Sequence, residues 1–346
     1  MRAITRVGLL IVPAIAACAI AVAATPVARA SSPDTTDECR DLDGTIEATF
    51  LGTTTLLFDD GRTQLMIDGF LTRPGFSAVV FGQVATDRTV VDSILDRVLD
   101  HGKDARLKAL FVTHSHYDHA LDAAYTAKRT GAHLYGSRST LNIGRGGGLC
   151  EARMTRIRPG NTWQVGAFVV DVLESKHSPP TLFNPTGGVV NAPLEQPARY
   201  GAYAEEVTVD FLIAHCGRRI LVKASANFSA NAPADMRADV LFLSIARLGE
   251  QRRKFMKTFY AHTVGKVHPR LLIPLHWDDL FTPLTAHLPL ASWPIDQPRT
   301  ALDFLSTRVS AENRERALGD QLEFRVMQGY ESLLLFQPGN PHGRPL

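Results

Sequence analysis

Residues 107–120, LKALFVTHSHYDHA, constrain this chain more than any other stretch. An apolar, β-prone run through Ala109, Leu110, Phe111 and Val112 stops abruptly in His114-Ser115-His116-Tyr117-Asp118-His119. Alternate residues of an extended segment face the same way, so His114 and His116 can address one point. Asp118 stands where a helix would begin, ahead of Leu121, Ala124, Tyr125 and Lys128. A turn there swings Asp118 and His119 toward a neighbouring point. Four ligating side chains at the mouth of a buried strand suit two adjacent metal positions better than one. Imidazole with carboxylate points to zinc, with iron and manganese as the other ions such donors hold.

Hydrophobic patterning around this stretch describes an α/β chain. Strand-like runs fall at 45–50, 54–58 and 63–67, with Asp59-Asp60-Gly61 as a hairpin signal between the last two. Apolar spacing predicts a helix over 91–99, and a second runs from the histidine motif to about Arg129, ended by Gly131. A short strand follows at 132–135, then the start of a short helix at 137–141, and 144–148 read as a glycine-rich turn. Residues 163–173 read as two strands around Gly166, and 207–214 with 219–224 as a further hairpin. Strands at 240–245, 271–275, 322–327 and 333–336 alternate with helical patterns at 250–260 and 300–308. Strands first and then β–α alternation, occurring twice, fit two packed sheets with helices outside. Residues 178–206 lack periodicity and carry Phe183, Tyr200 and Tyr203, which shape substrate access or form a satellite core.

His-x-His-x-Asp-His after an apolar strand resembles the signature of the metallo-β-lactamase-fold hydrolases. The resemblance spans essentially the whole chain after its leader. It implies an αββα sandwich, two packed mixed sheets with helices outside and the metals at one edge. It also implies the remaining ligands. The next is His177, at a strand end about sixty residues downstream, and the last is His276, after Ile273-Pro274-Leu275. His114, His116 and His177 then hold one metal, and Asp118, His119 and His276 the second. Asp68 takes the place of an acidic residue that closes an early strand and orients a ligand histidine or the metal-bearing loop. His215 rivals His177 by residue type but lies in a turn beside Cys216, and His262 and His268 read as surface or packing residues.

One departure stands out. Relatives with two zincs carry a bridging aspartate at the end of a strand between the last two histidines. The stretch 220–227 aligns Ala226 with it and holds no carboxylate. The implied consequence is a more weakly held second metal, or a hydroxide bridging alone. Lys223, Ser225 and Asn227 alternate onto one face of this strand, as pocket wall or as ordinary strand surface.

Three histidines leave a position for water, whose pKa zinc lowers from about 15.7 toward 7. The expected chemistry is hydrolysis of an ester, lactone, amide or phosphodiester, in the manner of lactonase and phosphodiesterase relatives. Asp118 doubles as the catalytic proton acceptor where the second site is empty. No Gly-x-Ser-x-Gly nucleophile motif occurs. The competing reading, carried by Ala226, is a metal-binding protein without turnover.

The 346 residues are 45% hydrophobic and 21% charged, enough for one large domain, and 31–346 read as one. A net charge of +2 gives no electrostatic case for nucleic acid or an anionic membrane, leaving a small-molecule substrate as the expected partner. Residues 1–30 have the layout of a secretory signal peptide: Arg2 and Arg6, an apolar run to Ala24, and Ala28-Arg29-Ala30 before Ser31. A periplasmic or secreted protein follows, with no stable membrane insertion after cleavage. Ile15-Ala16-Ala17-Cys18 resembles a lipoprotein box, but the residues after Cys18 stay apolar where a polar tether belongs. Export permits disulfides. With Cys18 in the leader, the expected bridge is Cys39–Cys150, leaving Cys216 as a free thiol.

Overall fold

The computed structural model describes residues 25–26, 39, 44–99, 106–181, 186–231, 236–317 and 319–336. Its strands begin with β1 (Thr25–Pro26), β2 (Glu47–Phe50), β3 (Leu56–Asp59), β4 (Gln64–Ile67) and β5 (Leu107–Phe111). Next come β6 (His133–Gly136), β7 (Met154–Arg156), β8 (Thr162–Val165), β9 (Phe168–Glu174) and β10 (Val209–His215). The last are β11 (Arg218–Lys223), β12 (Val240–Ser244), β13 (Leu271–Leu275), β14 (Glu323–Phe324) and β15 (Ser332–Leu334). The helices are α1 (Phe76–Phe81), α2 (Arg88–Val98), α3 (Tyr117–Ala120), α4 (Ala123–Thr130), α5 (Arg138–Gly146), α6 (Arg253–His262), α7 (Val264–Val267) and α8 (Pro298–Asn313).

Two mixed sheets result, as the patterning predicts. One runs β15-β2-β3-β4-β5-β6-β7 and the other β1-β8-β9-β10-β11-β12-β13-β14. Each begins antiparallel and turns parallel, at β4–β5 in the first and β11–β12 in the second. The parallel strands are apolar almost throughout; every residue of β12 and β13 is buried, as strands covered on both faces require. Phe58 meets Phe242 edge-on at 5.6 Å and Phe111 meets Phe211 at 5.4 Å, interlocking the sheets in one core. Helices α4 and α5 pack on β5, β6 and β7. This is the αββα sandwich. No described helix is long and apolar enough to cross a membrane.

Local chemistry accounts for the boundaries. Asp87 caps α2 by accepting from the amides of Thr89 and Val90. Gly131 ends α4 with φ +85°. The stretch expected as a glycine-rich turn is instead helical through Gly146. Its glycines serve close packing: a Cβ on Gly144 would lie 2.5 Å from Met154 Sδ, and one on Gly146 1.9 Å from the Leu194 carbonyl oxygen. The late strands β14 and β15 are shorter than the apolar runs suggest, because each lies at a sheet edge with one partner.

The disulfide differs from expectation. Cys39 pairs with Cys216, not Cys150, with Cα atoms 5.5 Å apart. No described cysteine is a free thiol, so Cys216 is not left over. Cys216 sits at φ +45° in the tight turn between β10 and β11. Its neighbour His215 reaches Asp60, in the β3–β4 turn, at 3.0 Å. The two hairpin turns therefore meet, and Cys39 is tied to them. Of the expected leader, only Thr25 and Pro26 are described, paired with Trp163 and Gln164. The rest of it, and Cys18, lie outside the described residues.

Candidate metal centre

The parallel strands β4, β5, β11 and β13 deliver their C-terminal ends to one edge of the sandwich, where open α/β sheets place ligands. β5 ends at Phe111 and is followed by His114 and His116, the latter in extended backbone just before α3. Asp118 and His119 lie in the single turn of α3. His177 follows β9, and His276 follows β13 with φ +58°. All six sequence-predicted side chains converge. The ligating atoms of His114, His116 and His177 lie within 4.8 Å of one another, and so do those of Asp118, His119 and His276. The groups adjoin: the His114 and His119 ring centres are 3.8 Å apart. Each group takes two side chains from the β5 sheet and one from the β9–β13 sheet.

The supporting contacts fix each ring. Asp68, at φ +56° after β4, places Oδ2 2.8 Å from His119 Nδ1. Asp68 also accepts from the Thr113 amide at 2.8 Å and the Thr54 hydroxyl at 2.6 Å. With Nδ1 so engaged, His119 turns Nε2 toward Asp118, whose Oδ2 is 3.7 Å away and also 3.1 Å from His276 Nε2. The His177 carbonyl accepts from Asn227 Nδ2 at 2.7 Å, and the Ser178 amide donates to Ser225 Oγ at 2.8 Å. Lys223 does not reach the cavity; it is buried against Asp210 and Ser175 at 2.7 and 2.9 Å.

Other neighbours escape sequence reasoning. The His276 amide donates to the Thr53 carbonyl at 2.7 Å, and Asp278 accepts from the Thr53 amide at 2.9 Å. Arg73 completes this lock with Nη2 2.6 Å from Asp278 Oδ2, both side chains fully buried. Asp278 was visible beside His276, but nothing local marks a partner 205 positions away. Ala226 is fully buried in the core, while Ala224 and Ser225 line the cavity. The strand end still supplies no carboxylate. Tyr200 and Tyr203 both line the cavity, and Tyr203 is also packed in the core; Phe183 lies outside the described residues.

Charge states suit metal ligation. Burial, then the neighbouring His119 and His177, hold His114 well below the ordinary imidazole range. Burial, then His116, brings His177 down to about 3. Both are neutral near pH 7, the form that ligates. Burial works against ionisation of Asp118, but His119 and His276 outweigh it and keep its carboxyl low. Burial likewise opposes protonation of His119, yet Asp68 and then Asp118 raise it on balance. His114 Nε2 is buried with no hydrogen-bond partner. An orphaned ring nitrogen amid converging histidines is costly unless a cation takes its lone pair, so the residues fit a metal.

Comparison with known proteins agrees. Residues 89–194 match the family described as "Metallo-beta-lactamase superfamily". A stretch of 72 residues is 38% identical to a Myxococcus xanthus protein described as "UPF0173 metal-dependent hydrolase", covering 21% of this chain and 25% of that protein. The chain thus matches about a quarter of that relative's length. Among solved structures, the metallo-beta-lactamase fold protein YhfI from Bacillus subtilis is similar with a TM-score of 0.51 at 14% identity, over 84% of this chain and 99% of that one. Igni18, a metallo hydrolase from Ignicoccus hospitalis, aligns with a TM-score of 0.48 at 15% identity, over 84% and 98%.

Proposed function

We propose that this chain, which carries a metallo-beta-lactamase superfamily domain in an αββα sandwich, is an exported metal-dependent hydrolase acting on an ester, lactone, amide or phosphodiester. The observation that carries the reading is the convergence of His114, His116 and His177 beside Asp118, His119 and His276, two groups each closed within 4.8 Å. The donor set favours zinc over iron and manganese, because five of its six donors are imidazoles. A dication held there supplies a water-derived nucleophile at neutral pH and Lewis acidity toward a carbonyl or phosphoryl oxygen. The chain's residues do the rest. Asp68 holds His119 in one tautomer through Nδ1, leaving Nε2 free to ligate. Ser225 and Asn227 hold the His177 loop, and Thr53 with Asp278 holds the His276 turn. Where the Asp118–His119–His276 group holds no ion, Asp118, ionised and facing His276, is the carboxylate available to accept a proton beside the three-histidine group. Export rests on the sequence leader, and the Cys39–Cys216 disulfide is compatible with it.

The strand end at Ala224 and Ser225 favours a second reading, a metal-binding protein without turnover, because two dications without a shared carboxylate repel more strongly. One experiment separates the readings. Zinc-loaded protein is dialysed, its metal counted by plasma mass spectrometry, and its hydrolysis of p-nitrophenyl esters, lactones, bis(p-nitrophenyl) phosphate and nitrocefin measured beside His116→Ala. Turnover that requires metal and falls at least about 100-fold in the variant is expected. Bound metal with silence on every substrate favours the binding reading. Activity that survives the substitution removes the site from the chemistry.

A further inference from the structure

The residues of the candidate metal centre line a cavity of about 430 Å³, a size that takes a small molecule. Part of its lining is apolar. Val79 and Val80 enter it from α1, and Leu280 and Phe281 from the segment just beyond His276. This wall continues outward as touching aromatic rings. Phe281 packs edge-on against Phe76 at 5.3 Å, and Phe76 against Phe81 at 6.4 Å. Phe76 is 45% exposed and Phe81 77%, so the series runs from the cavity to the protein surface. Contiguous exposed apolar surface of this kind marks a contact site, whereas scattered single residues do not.

The charges around the cavity point the same way. Apart from histidines, Arg247 is the one cationic side chain among the described lining residues. Both terminal nitrogens of its guanidinium are engaged, Nη2 donating to Glu250 at 2.6 Å and Nη1 to the Ile295 carbonyl, while Nε has no partner. Asp278 is matched by Arg73. Asp296 lines the cavity as a carboxylate whose oxygens accept from the backbone amides of Arg247 and Gln297. A substrate arm ending in carboxylate or phosphate would meet Asp296 and, among the described lining residues, only an arginine already held by Glu250.

Building on the hydrolase reading, we infer that the substrate is an ester or lactone bearing an uncharged apolar chain, with the scissile group at the histidines and the chain along Val79, Val80, Leu280 and Phe281. Hydrolysis adds water across the acyl C–O bond: its oxygen joins the acyl carbon, and its proton ends on the released alcohol oxygen. The apolar wall selects the chain by removing methylenes from water, roughly three- to fourfold in affinity for each one buried.

Two measurements test this on the zinc-loaded, disulfide-intact protein. The first is kcat/KM for p-nitrophenyl acetate, butyrate, hexanoate and octanoate, and for the mono-p-nitrophenyl ester of suberic acid, which ends the same chain in a carboxylate. The expectation is a rise of at least about 30-fold from acetate to octanoate, with the suberate ester at least about tenfold below octanoate. Val80→Ser and Phe281→Ser, at positions that are only half-buried, should each reduce the octanoate-to-acetate ratio several-fold. The second is calorimetric titration with primary alcohols of two to eight carbons, which carry no hydrolysable bond and so read the apolar site without turnover. A flat chain-length series in both measurements overturns the inference, as does a suberate ester cleaved as well as the octanoate. Alcohol affinity that climbs with chain length while no ester or lactone is turned over sustains the apolar site and defeats the hydrolase reading instead.

Discussion

Asp68 shows how much a single side chain contributes here. It adopts a left-handed backbone conformation that a non-glycine residue rarely takes, and its carboxylate meets the His119 ring and the Thr113 amide together. Asp68→Asn keeps the shape but removes the charge that fixes the His119 tautomer. Affinity at the Asp118–His119–His276 group should fall about 10- to 100-fold, measured by competition with a chromophoric chelator, while the three-histidine group changes far less. A second residue sets a pH limit. His133, on β6, is buried with Nε2 against Thr155, and burial, then Arg153, brings its pKa from 6.5 down to about 4. The unfolded chain takes up this proton as pH falls below 6.5, whereas the folded chain resists until about 4. Stability is therefore full above that window and is lost as pH falls through it. Urea unfolding at pH 7 and 4.5 should show His133→Gln losing less stability between the two than the parent does, by on the order of 1–2 kcal/mol.

At the scale of elements, the Arg73–Asp278 pair joins the segment after β4 to the His276 turn, and the turn between β2 and β3 is caught between them. A Cβ on Gly52 would lie 2.1 Å from Arg73 Nη1. Asp278→Ala leaves a buried guanidinium without its carboxylate and should cost about 3–5 kcal/mol in chemical denaturation. Metal at the group containing His276 should weaken at the same time. Much of this level was legible beforehand. The hairpin at Asp59-Asp60-Gly61, the buried runs of β5, β12 and β13, and the helix ended by Gly131 announce themselves through local chemistry. All six converging side chains stand at strand ends, or one turn beyond, in a pattern that spacing and family resemblance expose. What stayed hidden depends on distant partners: the glycines of α5 that let Met154 and Leu194 approach, and the Arg73–Asp278 lock.

For the whole molecule, two sheets of similar build meet along one core, and the pairing of Cys39 with Cys216 spans 177 residues. Sequence could not name that pair, because spacing says nothing about which turns meet in space. Loss of so long a closure should lower stability by about 2–5 kcal/mol, seen as a fall in Tm for Cys216→Ser or after reduction. Strands β4 and β11 leave the turns near Asp60 and Cys216 and run toward the histidines, so covalent linkage and metal ligands occupy opposite ends of the sandwich. An ion gripped by side chains from both sheets then acts as a clasp across an edge that the sulfur bridge cannot guard. Stripping the ion should unzip amide protection around His177 and His276 first, and reduction should begin at the far rim. A metal-dependent hydrolase built this way sheds its ion at one end and stays fastened at the other.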